Sequence, residues 1–255
     1  MKPYYEQDGI SLFHGDCREC LLDQDLQERI EPVSVLVTDP PYQGLAGNLI
    51  AGFAGGSAVA KRRTSTPTVG EAGRSLGFIR HEEWLPLACD LVVGGLAFCS
   101  YHDVAEVRMA LPLTAKPKAL IVWHKPNSMP VARNVPRFRV EFAWAFQTAD
   151  PCPLAWRELD TLYSIPSPNA GCVSSGERYT NPDGRATHPA QKPITLMQEL
   201  LALGGDLVLD PFAGTGTTLH AAKNLGRKAI GIEIEERYCE IAARRLDQGV
   251  LDLGA

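Results

Sequence analysis

The chain alternates between two kinds of apolar pattern, and this alternation limits the folds that it can adopt. Strand-like runs rich in apolar residues fall at 33–38, 92–100, 118–124, 139–146, 206–210 and 228–233. Helical spacing of apolar residues follows Lys192, covers about 217–225 and resumes after Glu235. Strands that alternate with helices in this way predict an α/β fold, with a mostly parallel sheet and helices on both faces.

Length and composition favour a single globular domain over residues 1–255. A chain of 255 residues lies within the range of single α/β domains, and 45% apolar with 22% charged residues is typical of a soluble enzyme. The apolar runs are far shorter than a bilayer span, and the first residues lack the apolar core of a signal peptide. We therefore expect a cytoplasmic protein with no membrane partner.

The strongest local motif begins where the strand-like run 206–210 ends. A glycine-rich turn follows this run and opens a predicted helix, and an acidic residue ends the next strand-like run. Such a turn lets the backbone approach a ligand closely, and the acid is placed to hold two ribose hydroxyls. The pattern predicts a nucleoside cofactor bound by Asp210, Pro211, Phe212, Ala213, Gly214, Gly216, Thr217, Thr218 and Glu233.

Two details of this motif argue against a dinucleotide. Leu219 occupies the third glycine position of the dinucleotide fingerprint, and Asp210 puts a carboxylate in the turn where a pyrophosphate would lie. The same carboxylate suits the cationic amino group of a methionine moiety. A dehydrogenase stays an alternative, which retention of NAD by the purified protein would favour.

A second motif follows the strand-like run 33–38 and consists of Asp39, Pro40, Pro41 and Tyr42. Two successive prolines fix extended backbone and lack N–H donors, so this turn presents carbonyl acceptors beside the Asp39 carboxylate. Hydrogen bonds from an exocyclic amine to Asp39 and to the Pro40 carbonyl favour a pyramidal nitrogen with a free lone pair. Tyr42 is placed to stack on a base that has left the duplex. The four residues are therefore predicted to be catalytic.

These motifs resemble those of the beta-type amino-group DNA methyltransferases, which act on adenine N6 or cytosine N4. The resemblance rests on DPFAGTGTT at 210–218, DPPY at 39–42, HPAQKP at 188–193 and LFHGDC at 12–17. It implies S-adenosylmethionine as the cofactor. It also implies a Rossmann-like methyltransferase fold that is circularly permuted, because the catalytic motif precedes the cofactor loop.

The resemblance further implies roles for residues outside the two central motifs. The element at 188–193 closes over the methionine part of the cofactor, which makes Lys192 a cofactor-binding residue, and Asp39 borders the same site. Asp16 and Cys17 are expected to contact the cofactor adenine. Glu233 falls where the family has its ribose-binding acid.

The resemblance of DPPY favours adenine N6 as the methylated atom, and the Asp39 carboxylate is a stronger acceptor for the amine protons than a serine hydroxyl. Cytosine N4 is the nearest alternative, because its amine presents the same two hydrogens. Methylation of RNA or of a protein amide, and an inactive DNA-binding relic, fit the motifs less well. Cytosine-C5 chemistry is not predicted, because the Pro-Cys pair that ends at Cys152 precedes the cofactor loop and no ENV-like element occurs.

Charge and composition point to double-stranded DNA as a partner, although the net charge is −5. Residues 107–140 contain seven basic and no acidic residues, a bias typical of phosphate-contacting surfaces. The segment 43–80 is predicted to be a mobile loop near the active site, and 127–187 to hold DNA-recognition insertions. The residues expected to contact DNA are Lys61, Arg62, Arg63, Lys125, Arg133, Arg137 and Arg139.

The sequence says less about other partners and ligands. A homodimer and a cognate restriction endonuclease are partners that the sequence leaves open. The seven cysteines are scattered and odd in number, so no disulfide framework is expected. Cys17 and Cys20 form a CxxC pair near His14, but a fourth zinc ligand is missing from the pattern, and no metal site is predicted.

Overall fold

The computed structural model describes residues 1–31, 34–41, 79–128, 139–168 and 191–247. The strands found in these residues are β1 (Tyr5–Gln7), β2 (Ile10–His14), β3 (Val35–Thr38), β4 (Gly94–Cys99), β5 (Lys116–His124), β6 (Val140–Gln147), β7 (Leu162–Ser164), β8 (Leu207–Asp210) and β9 (Lys228–Glu233). The helices are α1 (Cys17–Leu22), α2 (Gln24–Gln27), α3 (His81–Cys89), α4 (Val104–Ala110), α5 (Ile194–Ala202), α6 (Thr217–Asn224) and α7 (Glu236–Asp247). None of these described helices is long and apolar enough to cross a membrane.

The described strands form one sheet in the order β1-β2-β9-β8-β3-β4-β6-β5-β7. Strands β2, β9, β8, β3 and β4 are parallel neighbours, whereas β1 and β6 are antiparallel to the strands beside them. The sheet is therefore mostly parallel, and the predicted fold class is confirmed. All six predicted strand-like runs contribute a strand to it.

Helices cover both faces of the sheet because the central strands are buried on both sides. Val35 and Val37 of β3 belong to a hydrophobic cluster with residues of α5, α6 and α7. Leu36, between them, belongs to a second cluster with residues of α1, α3 and α4. Successive side chains of a strand point to opposite faces, so the two helix groups lie on opposite sides of the sheet.

Strands β3 and β8, which carry the two predicted motifs at their carboxyl ends, lie side by side in the sheet. These strands are paired, with Val35 beside Val208 and Leu36 beside Leu209. In the chain, β8 is followed by β9, which lies on one side of the pair. Strand β3 is followed by β4, which lies on the other side. Open α/β sheets bind ligands in the crevice where the strand order reverses in this way, outside the carboxyl ends of the strands. The chain reaches β3 before β8, which is the permuted order that the motifs predicted.

The range 127–187, predicted to hold recognition insertions, also contains two strands of the sheet. Strand β6 lies inside this range and pairs with both β4 and β5, and β7 pairs with β5 at the sheet edge. Both strands belong to the sheet, and the recognition insertions stay a prediction for this range. Of the predicted loop 43–80, residues 43–78 lie outside the described residues, and Arg80 is the N-cap residue of α3.

Candidate active site

Asp39 lies where the backbone leaves the sheet at the end of β3. Thr38 is fully buried, whereas the Asp39 side chain is 20% exposed. Pro40 is buried and Pro41 is exposed. The carboxylate therefore lies at the boundary between the core and the crevice, which is where a catalytic acceptor is needed. Tyr42, the last residue of the predicted catalytic motif, lies outside the described residues.

Lys192 brings a buried positive charge against this carboxylate. Its ammonium lies 2.5 Å from Asp39 Oδ2 and 3.0 Å from Glu141 Oε2, and only 4% of the side chain is exposed. The ring centroids of Phe98 and Trp123 lie 5.2 and 5.8 Å from Nζ, in cation–π geometry. Burial alone lowers the pKa of a lysine, but the two carboxylates outweigh it and hold the pKa of Lys192 above its ordinary value. Lys192 is therefore a cation.

Glu141 of β6 joins Lys192 to a second cation. Its Oε1 lies 2.8 Å from the ammonium of Lys125, which also lies over the Trp123 ring. Burial raises the pKa of a carboxyl, yet the two ammonium groups hold the pKa of Glu141 below its ordinary value. Asp39, Lys192, Glu141 and Lys125 thus form an ion network with two charges of each sign.

Sequence reasoning did not select Glu141 as a site residue, although a signal for it exists. Glu141 is the first acidic residue after the basic stretch 107–140, and it lies within an apolar strand-like run. A charged residue in such a run is buried, and buried charges are paired in folded proteins. The identity of its partner was beyond the sequence, because Lys192 is distant along the chain.

The cofactor loop is attached to the catalytic strand through Asp210. The Asp210 carboxylate is 2% exposed, and its Oδ1 accepts hydrogen bonds from Thr38 Oγ1 at 2.6 Å and from the Phe212 backbone N–H at 3.1 Å. Burial raises the pKa of Asp210 to about 6, against the opposing effect of these donors. The side chain predicted to face a methionine amino group therefore fixes the start of the loop relative to β3.

Glu233 holds the middle of the loop from the end of β9. Its Oε2 accepts a hydrogen bond from Gly214 N–H at 2.8 Å, and its Oε1 accepts one from Glu235 N–H at 2.8 Å. The side chain is largely buried, and this burial raises the pKa of its carboxyl above the ordinary value. Gly214 has φ +53°, a left-handed conformation that glycine adopts without strain. The predicted ribose-binding acid thus lies directly against the predicted cofactor loop.

The end of the loop opens helix α6 and is supported from behind by Arg245. Thr217 and Thr218 are the first residues of α6, and both are buried. The guanidinium of Arg245, 3% exposed, donates to the Thr215 backbone oxygen at 2.5 Å and to Thr215 Oγ1 at 3.1 Å. Sequence reasoning did not select Arg245, because the helical pattern of α7 gave no sign that one arginine faces inward.

The predicted adenine-contacting pair lies at the same edge of the sheet. His14 at the end of β2 is aligned with Glu233, so Asp16 and Cys17 follow close to the end of β9. Asp16 caps α1 by accepting from Arg18 N–H at 2.9 Å, and the Arg18 side chain lowers the pKa of Asp16. Cys17 is buried among apolar side chains, and burial raises the pKa of its thiol to about 12.

The predicted DNA contacts divide into two groups. Arg139, at the start of β6, is exposed. Lys125 is mostly buried, since only 15% of its side chain is exposed, and it is ion-paired with Glu141. This pairing makes Lys125 part of the ion network, so we do not retain it as a phosphate contact. The remaining predicted contacts lie outside the described residues; they are Lys61, Arg62, Arg63, Arg133 and Arg137.

The fold and the site together define a class of enzyme. A nucleoside-type loop and an acceptor carboxylate lie at the carboxyl ends of adjacent parallel strands, at the point where the strand order reverses. This is the arrangement of a Rossmann-like methyltransferase, which brings a nucleoside methyl donor to an amine acceptor.

Comparison with known proteins gives the family. The model of the N6_N4_Mtase family, described as DNA methylase, matches residues 33–244, and the chain belongs to this family. The chain is 29% identical to the type II methyltransferase M2.LlaDCHI of Lactococcus lactis subsp. cremoris, over 97% of this chain and 93% of the relative. The protein is therefore a DNA methyltransferase.

Solved structures agree with this assignment. The structure of M1.HpyAVI in complex with SAM is 26% identical, has a TM-score of 0.62, and aligns over 93% of this chain and 99% of that chain. The structure of the cytosine-N4-specific PvuII DNA methyltransferase has a TM-score of 0.64 at 18% identity, over 100% of this chain and 90% of that chain, and so shares the fold. The cofactor of the chain is S-adenosylmethionine, as its motifs implied.

The buried Asp210 makes the stability of the protein dependent on pH. In the folded state the pKa of Asp210 is raised to about 6, whereas an unfolded aspartate titrates near about 3.9. The folded state therefore binds this proton more tightly, so the stability decreases as pH rises from the unfolded to the folded pKa. An Asp210→Asn variant lacks this effect. We expect the wild type to lose about 2 kcal/mol of unfolding free energy relative to the variant between about pH 4.5 and about pH 7.5.

Urea unfolding of both proteins at the two pH values measures this difference. Asp90→Asn is the matched control, because it makes the same substitution at an exposed position. A parallel pH dependence for wild type and Asp210→Asn would contradict the assignment.

Proposed function

We propose that the protein transfers the methyl group of S-adenosylmethionine to the N6 amine of an adenine flipped out of double-stranded DNA. The observation that carries this proposal is the position of the Asp39 carboxylate, at the end of β3 and linked through Thr38 and Asp210 to the cofactor loop. An amine held at Asp39 would lie next to the donor. A base inside the duplex stack cannot reach this crevice, so flipping is required.

Asp39 acts as an acceptor that draws the amine protons out of the plane of the base. Hydrogen bonds from the amine to Asp39 and to the Pro40 carbonyl weaken conjugation of the nitrogen lone pair with the ring. S-adenosylmethionine, when bound, supplies the electrophilic sulfonium methyl group. The Lys192 ammonium at 2.5 Å from Oδ2 keeps the carboxylate charged and fixes its orientation. We therefore assign Lys192 a positioning role through Asp39, at the edge of the pocket for the methionine part of the cofactor.

The residues around the loop fit the parts of the cofactor that they were predicted to bind. Glu233 lies against Gly214 at the end of β9 and would accept the ribose hydroxyls. Asp16 and the Cys17 backbone, beside the end of β2, would border the adenine. Residues 211–218 would enclose the methionine and ribose parts, with Asp210 fixing the loop through Phe212 and Thr38.

Adenine is the proposed base because Asp39 begins the DPPY motif and a carboxylate is the stronger acceptor for the amine. Cytosine N4 is the second candidate, since the PvuII enzyme, which is cytosine-N4-specific, shares the fold. Both bases offer two amine hydrogens beside a ring nitrogen, so the chemistry at Asp39 is the same for either.

A role in restriction-modification extends this proposal. Its support is the similarity to M2.LlaDCHI, a type II methyltransferase, which suggests a restriction endonuclease with the same recognition sequence as the cognate partner. DNA recognition is assigned to segments that flank β6 and β7 and to the exposed Arg139. The homodimer stays a prediction, which the mass of the protein in solution tests.

We expect Asp39→Ala to reduce the methyl-transfer rate by about a hundredfold or more, because loss of one preorganised polar group in an active site has this effect. Single-turnover transfer to DNA with labelled cofactor measures the rate. Asp90→Ala is the control, since Asp90 is exposed and is the C-cap residue of α3. An Asp39→Ala enzyme that keeps more than about a tenth of the wild-type rate would rule out the role.

Glu233→Ala should weaken cofactor binding by about tenfold or more, since hydrogen bonds to a charged group contribute about 1.5–3 kcal/mol. Calorimetric titration with S-adenosylmethionine measures the affinity. Glu240→Ala, on the exposed side of α7, should bind the cofactor like the wild type. Equal affinities of the Glu233 and Glu240 variants would show that the ribose assignment is mistaken.

Plasmid DNA methylated by the purified protein should contain N6-methyladenine. Digestion of the DNA to nucleosides, followed by mass spectrometry, identifies the modified base directly. DNA incubated with the Asp39→Ala variant gives the background. N4-methylcytosine without N6-methyladenine would overturn the choice of base, while the cofactor assignment and the role of Asp39 would stand.

A further inference from the structure

A second cluster of ionisable side chains lies on the α3 and α4 side of the sheet, outside the ion network. His81 is the first residue of α3, Asp103 immediately precedes α4, and Glu106 lies in the first turn of α4. The candidate ligand atoms of these three side chains all lie within 4.8 Å of one another. Across the described ranges, this is the one group of His, Cys, Asp and Glu side chains that converges in this way.

His81 is the most informative member of the cluster. Its side chain is 3% exposed, and neither ring nitrogen has a hydrogen-bond partner among the described residues. A buried polar group without a partner costs about 1–3 kcal/mol, so such groups are rare in native proteins. An imidazole nitrogen is a common metal ligand, and both ring nitrogens of His81 lack a hydrogen-bond partner among the described residues.

The buried carboxylate of Asp103 is also only partly satisfied by hydrogen bonds from the described side chains. It is 1% exposed, and its Oδ2 accepts one hydrogen bond, from Ser100 Oγ at 2.7 Å. An aspartate at this position ordinarily caps the helix by accepting a backbone N–H, but Asp103 makes no such bond to α4. Its carboxylate instead faces Ser100 and the cluster, and a buried carboxylate requires a compensating charge.

We propose that His81, Asp103 and Glu106 bind a divalent transition-metal ion, with Zn²⁺ as the best-fitting member of that class. An imidazole ligand disfavours Mg²⁺ and Ca²⁺, which prefer oxygen, and two carboxylates disfavour the soft Cu⁺. Asp103 and Glu106 are three residues apart, so they lie on one face of the helix. The two carboxylates neutralise the charge of the ion, and three protein ligands leave one tetrahedral position for water.

The proposed ion would take no part in methyl transfer, because its ligands are separate from the ion network and the predicted cofactor loop. It would join the start of α3 to the start of α4, two helices that pack against each other in the second hydrophobic cluster. An ion that binds the folded state and not the unfolded state stabilises the fold. The proposal is independent of which base the enzyme methylates.

Titration of the metal-stripped, full-length protein with Zn²⁺ tests the proposal. We expect one site per chain, a rise in the unfolding temperature with Zn²⁺ and none with Mg²⁺. His81→Ala should abolish both effects, and Glu106→Gln should weaken Zn²⁺ binding by about tenfold or more, since even the loss of an outer-shell partner of a ligand costs about that much. Glu106 is exposed, so its variant carries the test even where His81→Ala fails to fold. His102→Ala is the matched control, because it removes an exposed imidazole beside Asp103 and should leave binding unchanged.

Co²⁺ distinguishes this site from binding to cysteine thiols. Co²⁺ bound by His81 and two carboxylates gives weak visible bands without the near-ultraviolet charge-transfer band of a thiolate ligand. A strong charge-transfer band that Cys20→Ser removes would place the ion at the CxxC pair and overturn the proposal. Zn²⁺ binding that is absent from the wild type, or equal in wild type, His81→Ala and Glu106→Gln, would also overturn it.

Discussion

The Asp210 carboxylate is held between the hydroxyl of Thr38 and the backbone N–H of Phe212, and the alignment of the active site depends on this contact. Thr38 immediately precedes the catalytic motif, Phe212 lies in the cofactor loop, and 172 positions separate Thr38 from Asp210. Burial raises the pKa of Asp210 to about 6, so the charged form is costly in this position. Under the proposed mechanism, the protein would therefore fix the acceptor Asp39 relative to the methyl donor with a group that lowers its stability at neutral pH, a pattern common at functional sites.

The ion network extends the site beyond these two strands. Glu141 comes from β6, Lys125 follows β5, and Lys192 precedes α5, so three further parts of the fold meet behind Asp39. Removing charges from water is expensive, and a buried ion pair often gives little net stability. We interpret the network by its effect on Asp39: a fixed cation keeps one carboxylate charged and oriented at the boundary of the core. In the proposed mechanism, the antiparallel β6 would thus support the catalytic Asp39.

Sequence patterns predicted the parts of the protein whose signals are local. Strand β9 has the bounds predicted for it, and Asp39 and Glu233 could be proposed as site residues because each ends or follows an apolar run beside a distinctive motif. Strand β7 is only three residues long, and α3 contains Pro86, so neither shows a clear periodic spacing of apolar residues. The pairing of Lys192 with Glu141 depends on strand order, which no local pattern encodes. His81 and Asp103 escaped notice for the same reason, since their convergence requires two helices to pack together.

The aromatic contacts between α3 and the cofactor loop connect the proposed metal site to the active site. The ring of His81 lies 6.1 Å from that of Trp84, and Trp84 packs edge-on against Phe212 with ring centroids 4.8 Å apart. An ion that fixes His81 would also restrict Trp84, one helical turn later, and through it the loop that holds the cofactor. Linkage between two bound ligands is reciprocal. If the bound ion increases the affinity for the cofactor by some factor, the bound cofactor, by ordering Phe212, would increase the affinity for the ion by the same factor. Under this proposal, α3 and the predicted cofactor loop would form one cooperative unit.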